Sequence, residues 1–261
     1  MIPFFQINAF QLGPVTIQVW GLLVALGLLL GLLFGARQVK KQFLSMEVFL
    51  DLGLYAMLGA FVGARLVHVA FYEPVYYAAN PVDIFKVWQG GLSSLGGFMG
   101  GLAAAGLFAW YRRFTRAEFA RYADIGSLSL ALGWGVGRLG CFLIHDHPGT
   151  FSHFALATRY PDGARHDLGL YESIVGFILF FVFWLLFKKL SQKGSGLVAV
   201  LLAGSYAVVR FGLDFLRATD LPMSDARYLY LTPAQWGMLA LLAGLTAWFI
   251  YSKMKQSQKK A

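Results

Sequence analysis

From Val19 to Ala36 the chain reads VWGLLVALGLLLGLLFGA, eighteen residues without one charge. Few folds accept such a run. As a helix it rises about 27 Å at 1.5 Å per residue, close to the hydrocarbon thickness of a bilayer. The chain offers seven segments of this kind: 14–36, 46–72, 91–111, 120–144, 171–187, 195–216 and 234–252. They are too long and too uniformly apolar for the alternation of a membrane barrel. With 58% hydrophobic and 13% charged residues, the chain has more apolar surface than a soluble domain of its length can hide. The same composition argues against disorder. The sequence therefore predicts an all-α integral membrane protein with seven transmembrane helices. It reads as one domain over 1–261, with short outer loops at 72–90, 145–170 and 217–233 forming a small cap. The first segment is too long, and too free of preceding charge, for a cleavable signal peptide, so it is expected to stay as an anchor.

The charges orient these segments. Arg37, Lys40 and Lys41 follow the first; Arg112, Arg113, Arg116 and Arg121 follow the third. Lys188, Lys189 and Lys193 follow the fifth; Lys253, Lys255, Lys259 and Lys260 follow the seventh. These cations sit at alternate ends, which the positive-inside rule makes cytoplasmic. The N-terminus is then outside and the C-terminus inside. Most of the net charge of +9 is topology, and its scatter over four short loops argues against a nucleic-acid surface.

Eight cations do not serve topology: Arg65, Lys86, Arg138, Arg159, Arg165, Arg210, Arg217 and Arg227. Nearly all are arginine, whose planar fork suits phosphate. An ion inside a membrane is expensive and marks function by default. The alternative is internal pairing of Arg65, Arg138 or Arg210 with Asp51, Asp124, Glu172 or Asp214. Arg210, Asp214 and Arg217 share one helical face, with Tyr206 a turn earlier. Gly96 and Gly97 lie in a glycine-rich stretch at the start of the third segment. They read either as close helix packing or as backbone that lets a lipid headgroup approach. His145, Asp146 and His147 form a candidate proton-handling group. A metal there is conceivable, but no metal and no cofactor is expected. The one cysteine, Cys141, excludes a disulfide framework and reads as a small buried residue rather than a nucleophile.

Four stretches carry the unusual polarity: 63–101, GWGVGRLGCFLIHDHPGT, ARHDLGLYE and GSYAVVRFGLDFLRATD. Together they resemble the prolipoprotein diacylglyceryl transferases along nearly the whole chain. GRLGCF matches the start of the family signature Gly-Arg-x-Gly-Asn-Phe. YAVVRFGLDFLRATD is similar to the family's Tyr-Gly-x-x-Arg-Phe-x-x-Glu-x-x-Arg. Cys141 stands for the signature Asn, Asp214 for a Glu, and Leu95 for the His of Gly-Gly-x-Ser-x-His-Gly-Gly. The resemblance implies transfer of diacylglyceryl from phosphatidylglycerol to the lipobox cysteine of a prolipoprotein, in a bacterial inner membrane, at a site facing the outer leaflet. It implies a catalytic set of Arg138 and Arg210, with Asp214 at the family's Glu; because Leu95 stands at the family's His, His145 or His147, with Asp146, is expected to take the proton instead. It also implies a lipid-binding set of Arg65, Gly96, Gly97, Arg138, Tyr206, Arg210 and Arg217. The partners would be phosphatidylglycerol, the prolipoprotein signal peptide and the bilayer. The departures leave room for another lipid donor or acceptor, or for a non-catalytic binder of lipid or signal peptide. The lack of repeat symmetry counts against a transporter.

Overall fold

The computed structural model describes residues 1–191, 194–221, 224–225 and 227–258. Lys193, Lys259 and Lys260 of the expected cytoplasmic set lie outside the described residues. So do Pro222, Met223 and Ala226 of the expected outer loop 217–233.

The protein is mostly helical. In chain order the helices are α1 (Val19–Lys41), α2 (Met46–Phe71), the short α3 (Pro74–Ala79) and α4 (Ser94–Tyr111). They are followed by α5 (Arg116–Ile144), α6 (Leu168–Leu190), α7 (Leu197–Leu213) and α8 (Pro233–Gln258). Six of them, α1, α2, α5, α6, α7 and α8, are long and apolar enough to cross a membrane. The remaining expected crossing, 91–111, is a shorter apolar helix. It begins late because Gly90 and Gly91 take φ of +89° and +74°, and Ser93 caps the helix by accepting from the Gly96 N–H.

The all-α expectation omits six short strands: β1 (Ile2–Pro3), β2 (Ala9–Leu12), β3 (Val15–Gln18), β4 (Pro148–Phe151), β5 (Thr158–Tyr160) and β6 (Gly163–Asp167). One sheet has the order β1-β5-β6-β4, and β2 and β3 form a hairpin. Segment 145–170, expected as plain loop, supplies three of the four strands of that sheet. Strands of two to five residues with no apolar alternation leave little periodic signal.

The chain divides into two compact units, Gln38–Tyr122 and Met1–Arg37 with Ala123–Ala261. In the first, α2 and α4 meet backbone to backbone. A Cβ on Gly63 would lie 2.4 Å from the Gly96 carbonyl oxygen, and one on Gly100 would lie 2.1 Å from that of Gly59. Both helices thus carry small residues four apart on the contact face. In the second unit, α1 and α5 touch at Gly27 and Gly133, and α5 and α6 at Gly135 and Gly176. Ser173 Oγ donates to the Gly135 carbonyl at 2.8 Å. The start of α8 is fixed by reciprocal bonds between Thr232 and Gln235, and the Gln235 amide donates to the Phe211 carbonyl of α7.

Candidate active site

Within the second unit Arg138, Glu172, Arg210, Asp214 and Arg217 form one chain of ions. Arg138 lies near the end of α5, Glu172 early in α6, and Arg210 near the end of α7. Asp214 follows Arg210 by one turn. Arg138 Nε is 3.0 Å from Glu172 Oε2, and Arg210 Nη1 is 3.0 Å from Glu172 Oε1. Arg210 Nη1 is also 2.9 Å from Asp214 Oδ1, and Arg217 Nε is 3.0 Å from the same oxygen. Glu172 is 1% exposed and Asp214 is fully buried. Three guanidiniums thus alternate with two buried carboxylates, and the exposed Asp225 pairs with the last of them, Arg217, so cations and acids are equal in number. Glu172 Oε1 and Oε2, Arg210 Nη1, Asp214 Oδ1 and Arg217 Nε are buried without an aligned hydrogen bond. The ions attract one another at close range yet keep hydrogen-bonding capacity, which suits an anionic ligand.

Local structure sets this geometry. Asp167 caps α6 by accepting from the Leu170 N–H at 3.1 Å, which starts the helix one turn before Glu172. The Thr232 hydroxyl donates to Asp214 Oδ2. The Arg138 guanidinium lies over the Trp134 ring, 4.6 Å from its centroid, and Tyr206 meets the same indole edge-on at 5.8 Å.

A second group adjoins Arg138. Its Nη1 is 3.7 Å from Cys141 Sγ and 3.2 Å from His147 Nε2. A guanidinium only donates, so Nε2 accepts and the ring proton sits on Nδ1, directed at Asp146 Oδ1. Burial works against a charged His147 ring, but the hydrogen bonds with Asp146 and Cys141 outweigh it and hold its pKa above the ordinary histidine value. Cys141, Asp146 and His147 place their ligand-type atoms within 4.8 Å of one another. The Arg138 guanidinium faces His147 Nε2, so either a cation or a proton at that nitrogen displaces the Arg138 contact.

His145 sits in different surroundings from His147. Its φ is +52°, it is 6% exposed, and Nδ1 lies 2.6 Å from Asp167 Oδ2. Tyr160 donates to the same oxygen at 2.8 Å, and Phe4 stacks on the imidazole at 4.9 Å. Burial and the neighbouring Asp167 push the Tyr160 pKa well up, so the phenol stays a donor. His145 thus anchors the sheet to the start of α6. Arg165 is likewise committed. It bonds Asp162 and Asp220, covers the Phe151 ring, and holds both carboxyls below their usual range.

The first unit holds the remaining expected residues. Arg65 donates from Nε to the Ile84 carbonyl, from Nη1 to Gly90 and Gly91, and from Nη2 to Asp83, at 2.6–3.0 Å. The Gly96 N–H goes to Ser93 Oγ and the Gly97 N–H to the Ser93 carbonyl. These contacts tie Arg65 to the 81–91 turn and the Gly96 and Gly97 N–H groups to the start of α4, all within this unit. Lys86 and Tyr76 both bond Asp83 and hold its carboxyl below the ordinary range.

Sequence reading underrated Glu172 and Trp134. The signal for Glu172 was present: it is the only acid in segment 171–187. A family model described as prolipoprotein diacylglyceryl transferase matches residues 7–251. A phosphatidylglycerol–prolipoprotein diacylglyceryl transferase of Dechloromonas aromatica is 32% identical over 98% of this chain and 98% of its own length. One from Chromohalobacter salexigens is 34% identical, covering 87% of this chain and 85% of its own. A Pseudomonas putida protein of the same name is 29% identical over 97% of each chain.

Proposed function

The chain belongs to the prolipoprotein diacylglyceryl transferase family, and from that premise we propose the chemistry of its own residues. It is a multi-pass membrane enzyme that moves the diacylglyceryl group of phosphatidylglycerol to the lipobox cysteine of a prolipoprotein. The observation that carries the residue assignment is the buried chain from Arg138 to Arg217, whose guanidiniums and carboxylates keep polar atoms without an aligned hydrogen bond. Arg138 and Arg210 hold the lipid phosphate and stabilise the charge that develops on it as the carbon–oxygen bond breaks. Glu172 and Asp214 space the arginines, Arg217 extends the chain, and Tyr206 packs beside it. His147, oriented by Asp146, takes the proton of the acceptor thiol. His147 fits this role because its ring is partly exposed and adjoins Arg138, whereas His145 is locked to Asp167. The thiolate sulfur forms a bond to the glyceryl carbon, the carbon–oxygen bond to phosphate breaks, and glycerol phosphate departs with the electron pair. Seven crossings, an outer N-terminus, an inner C-terminus and a site at the outer leaflet complete the reading, supported by the alternation of Lys and Arg along the sequence.

The test incubates the purified protein with labelled phosphatidylglycerol and a lipobox peptide. Thioether-linked lipid on the peptide and free glycerol phosphate are expected. Arg138→Ala and Arg210→Ala should each lower turnover at least about 100-fold, the scale for losing one transition-state donor. Binding of either substrate without turnover would make the protein a binder instead.

A further inference from the structure

Cys141 is the one reactive side chain at this site that the transfer reaction leaves unused. Its sulfur lies 3.7 Å from Arg138 Nη1 and within 4.8 Å of a His147 ring nitrogen. His147 in turn is oriented by Asp146. A thiol, an imidazole and a carboxylate in that sequence make up a nucleophile, its base and the group that orients the base. An inert buried cysteine has apolar neighbours; this one has a guanidinium and an imidazole. Cys141 itself is 5% exposed, while the His147 and Asp146 side chains are 24% and 35% exposed, so the group is open on the histidine side.

We propose that Cys141, His147 and Asp146 form a second reactive centre, in which the Cys141 sulfur accepts an acyl chain from a glycerolipid ester. The inference rests on a lipid held at Arg138, as proposed above, and adds a second electrophile. The ester carbonyls hang from the same three-carbon glycerol as the phosphate, so a phosphate on Arg138 brings them toward the sulfur. The step balances without an added oxidant or reductant. His147 takes the thiol proton and the sulfur attacks the carbonyl carbon. The oxyanion forms beside Arg138, the ester carbon–oxygen bond breaks, and the lysolipid leaves with the proton from His147. A hydroxyl or amine acceptor then attacks the thioester, takes the acyl group, and returns a proton to the sulfur through His147. The lipobox thiol could not serve as a trap for this intermediate without exchanging one thioester for another.

The experiment uses the full-length protein in phosphatidylglycerol nanodiscs without any acceptor peptide, read by intact-protein and peptide mass spectrometry. One acyl adduct is expected on the peptide containing Cys141, released by neutral hydroxylamine and accompanied by one lysolipid per adduct. Cys141→Ala and the closer Cys141→Ser should lose the hydroxylamine-labile adduct while melting as the parent does. His147→Ala should form it at least tenfold more slowly. Absence of an adduct on folded parent protein overturns the proposal. So does an adduct at another residue, or a hydroxylamine-resistant one, which would be a thioether. The peptide transfer assay runs in parallel on the parent protein. Transfer without the adduct removes this inference alone; the adduct without transfer removes the activity proposed above and leaves the acyl step standing.

Discussion

Arg138 holds four neighbours at once: Glu172, Cys141, His147 and the Trp134 ring. A lysine could not do so, because only a planar fork offers donors along several directions while its face rests on an indole. Glu172 is the complementary residue, one carboxylate shared by two arginines. Glu172→Gln should therefore leave Arg138 and Arg210 facing each other, destabilising the protein by about 3–5 kcal/mol, the cost of breaking a buried ion pair. Denaturant melts in detergent measure this, and an unchanged midpoint would show that the two arginines find other partners. Asp146 tunes the base. It favours the protonated His147 ring, so Asp146→Asn should lower the histidine pKa and move the acid limb of the turnover profile to lower pH. A pH–rate series checks the direction. Arg138 and Arg210 were legible in the sequence because charge in an apolar run has no other excuse. The distinction between His145 and His147 was not, because it depends on a positive φ at His145 and on Asp167, twenty-two residues away. The polar neighbours of Cys141 were not legible either, because they are set by the turn that follows α5.

At the scale of elements, the α2–α4 contact has no side-chain cushion. Gly59, Gly63, Gly96 and Gly100 bring two backbones together, so the crossing tolerates no added methyl. Gly100→Ala should sharply reduce the yield of folded protein and its melting temperature, since its Cβ would lie 2.1 Å from the Gly59 carbonyl oxygen. Gly106→Ala, on the same helix with nothing within 4 Å, should leave both near the parent values. Size-exclusion profiles and thermal melts of the pair make the comparison. The sequence displayed these glycines without saying which of two uses they served. In the structure the hydroxyl and carbonyl of Ser93 take the Gly96 and Gly97 N–H groups. The strands were harder to foresee. A three-residue strand such as β5 is defined by its partners, and Ile2 pairs with Thr158 across almost the whole of the intervening chain.

At the scale of the whole molecule, topology is the claim most open to direct test. In a Cys141→Ala background, His153→Cys should react with an impermeant maleimide added outside spheroplasts, and Arg112→Cys only after the membrane is opened. The reverse pattern would invert every assignment of side. The helices were legible because long apolar runs have so few alternatives in water. The third starts at Ser94 rather than at 91 because hydropathy counts Gly91 as continuous with the helix, whereas its φ of +74° precludes that. The arginine chain has one more implication. A phosphodiester lipid carries one negative charge. The phosphomonoester it leaves behind carries about 1.5 to 2 at neutral pH. The site would then hold more negative charge than the donor brought, in a medium that resists net charge, so the same ions that welcome the donor would push the by-product toward water. Turnover would thereby clear its own exit, and acidification, by removing part of the monoester's charge, would make the spent headgroup linger.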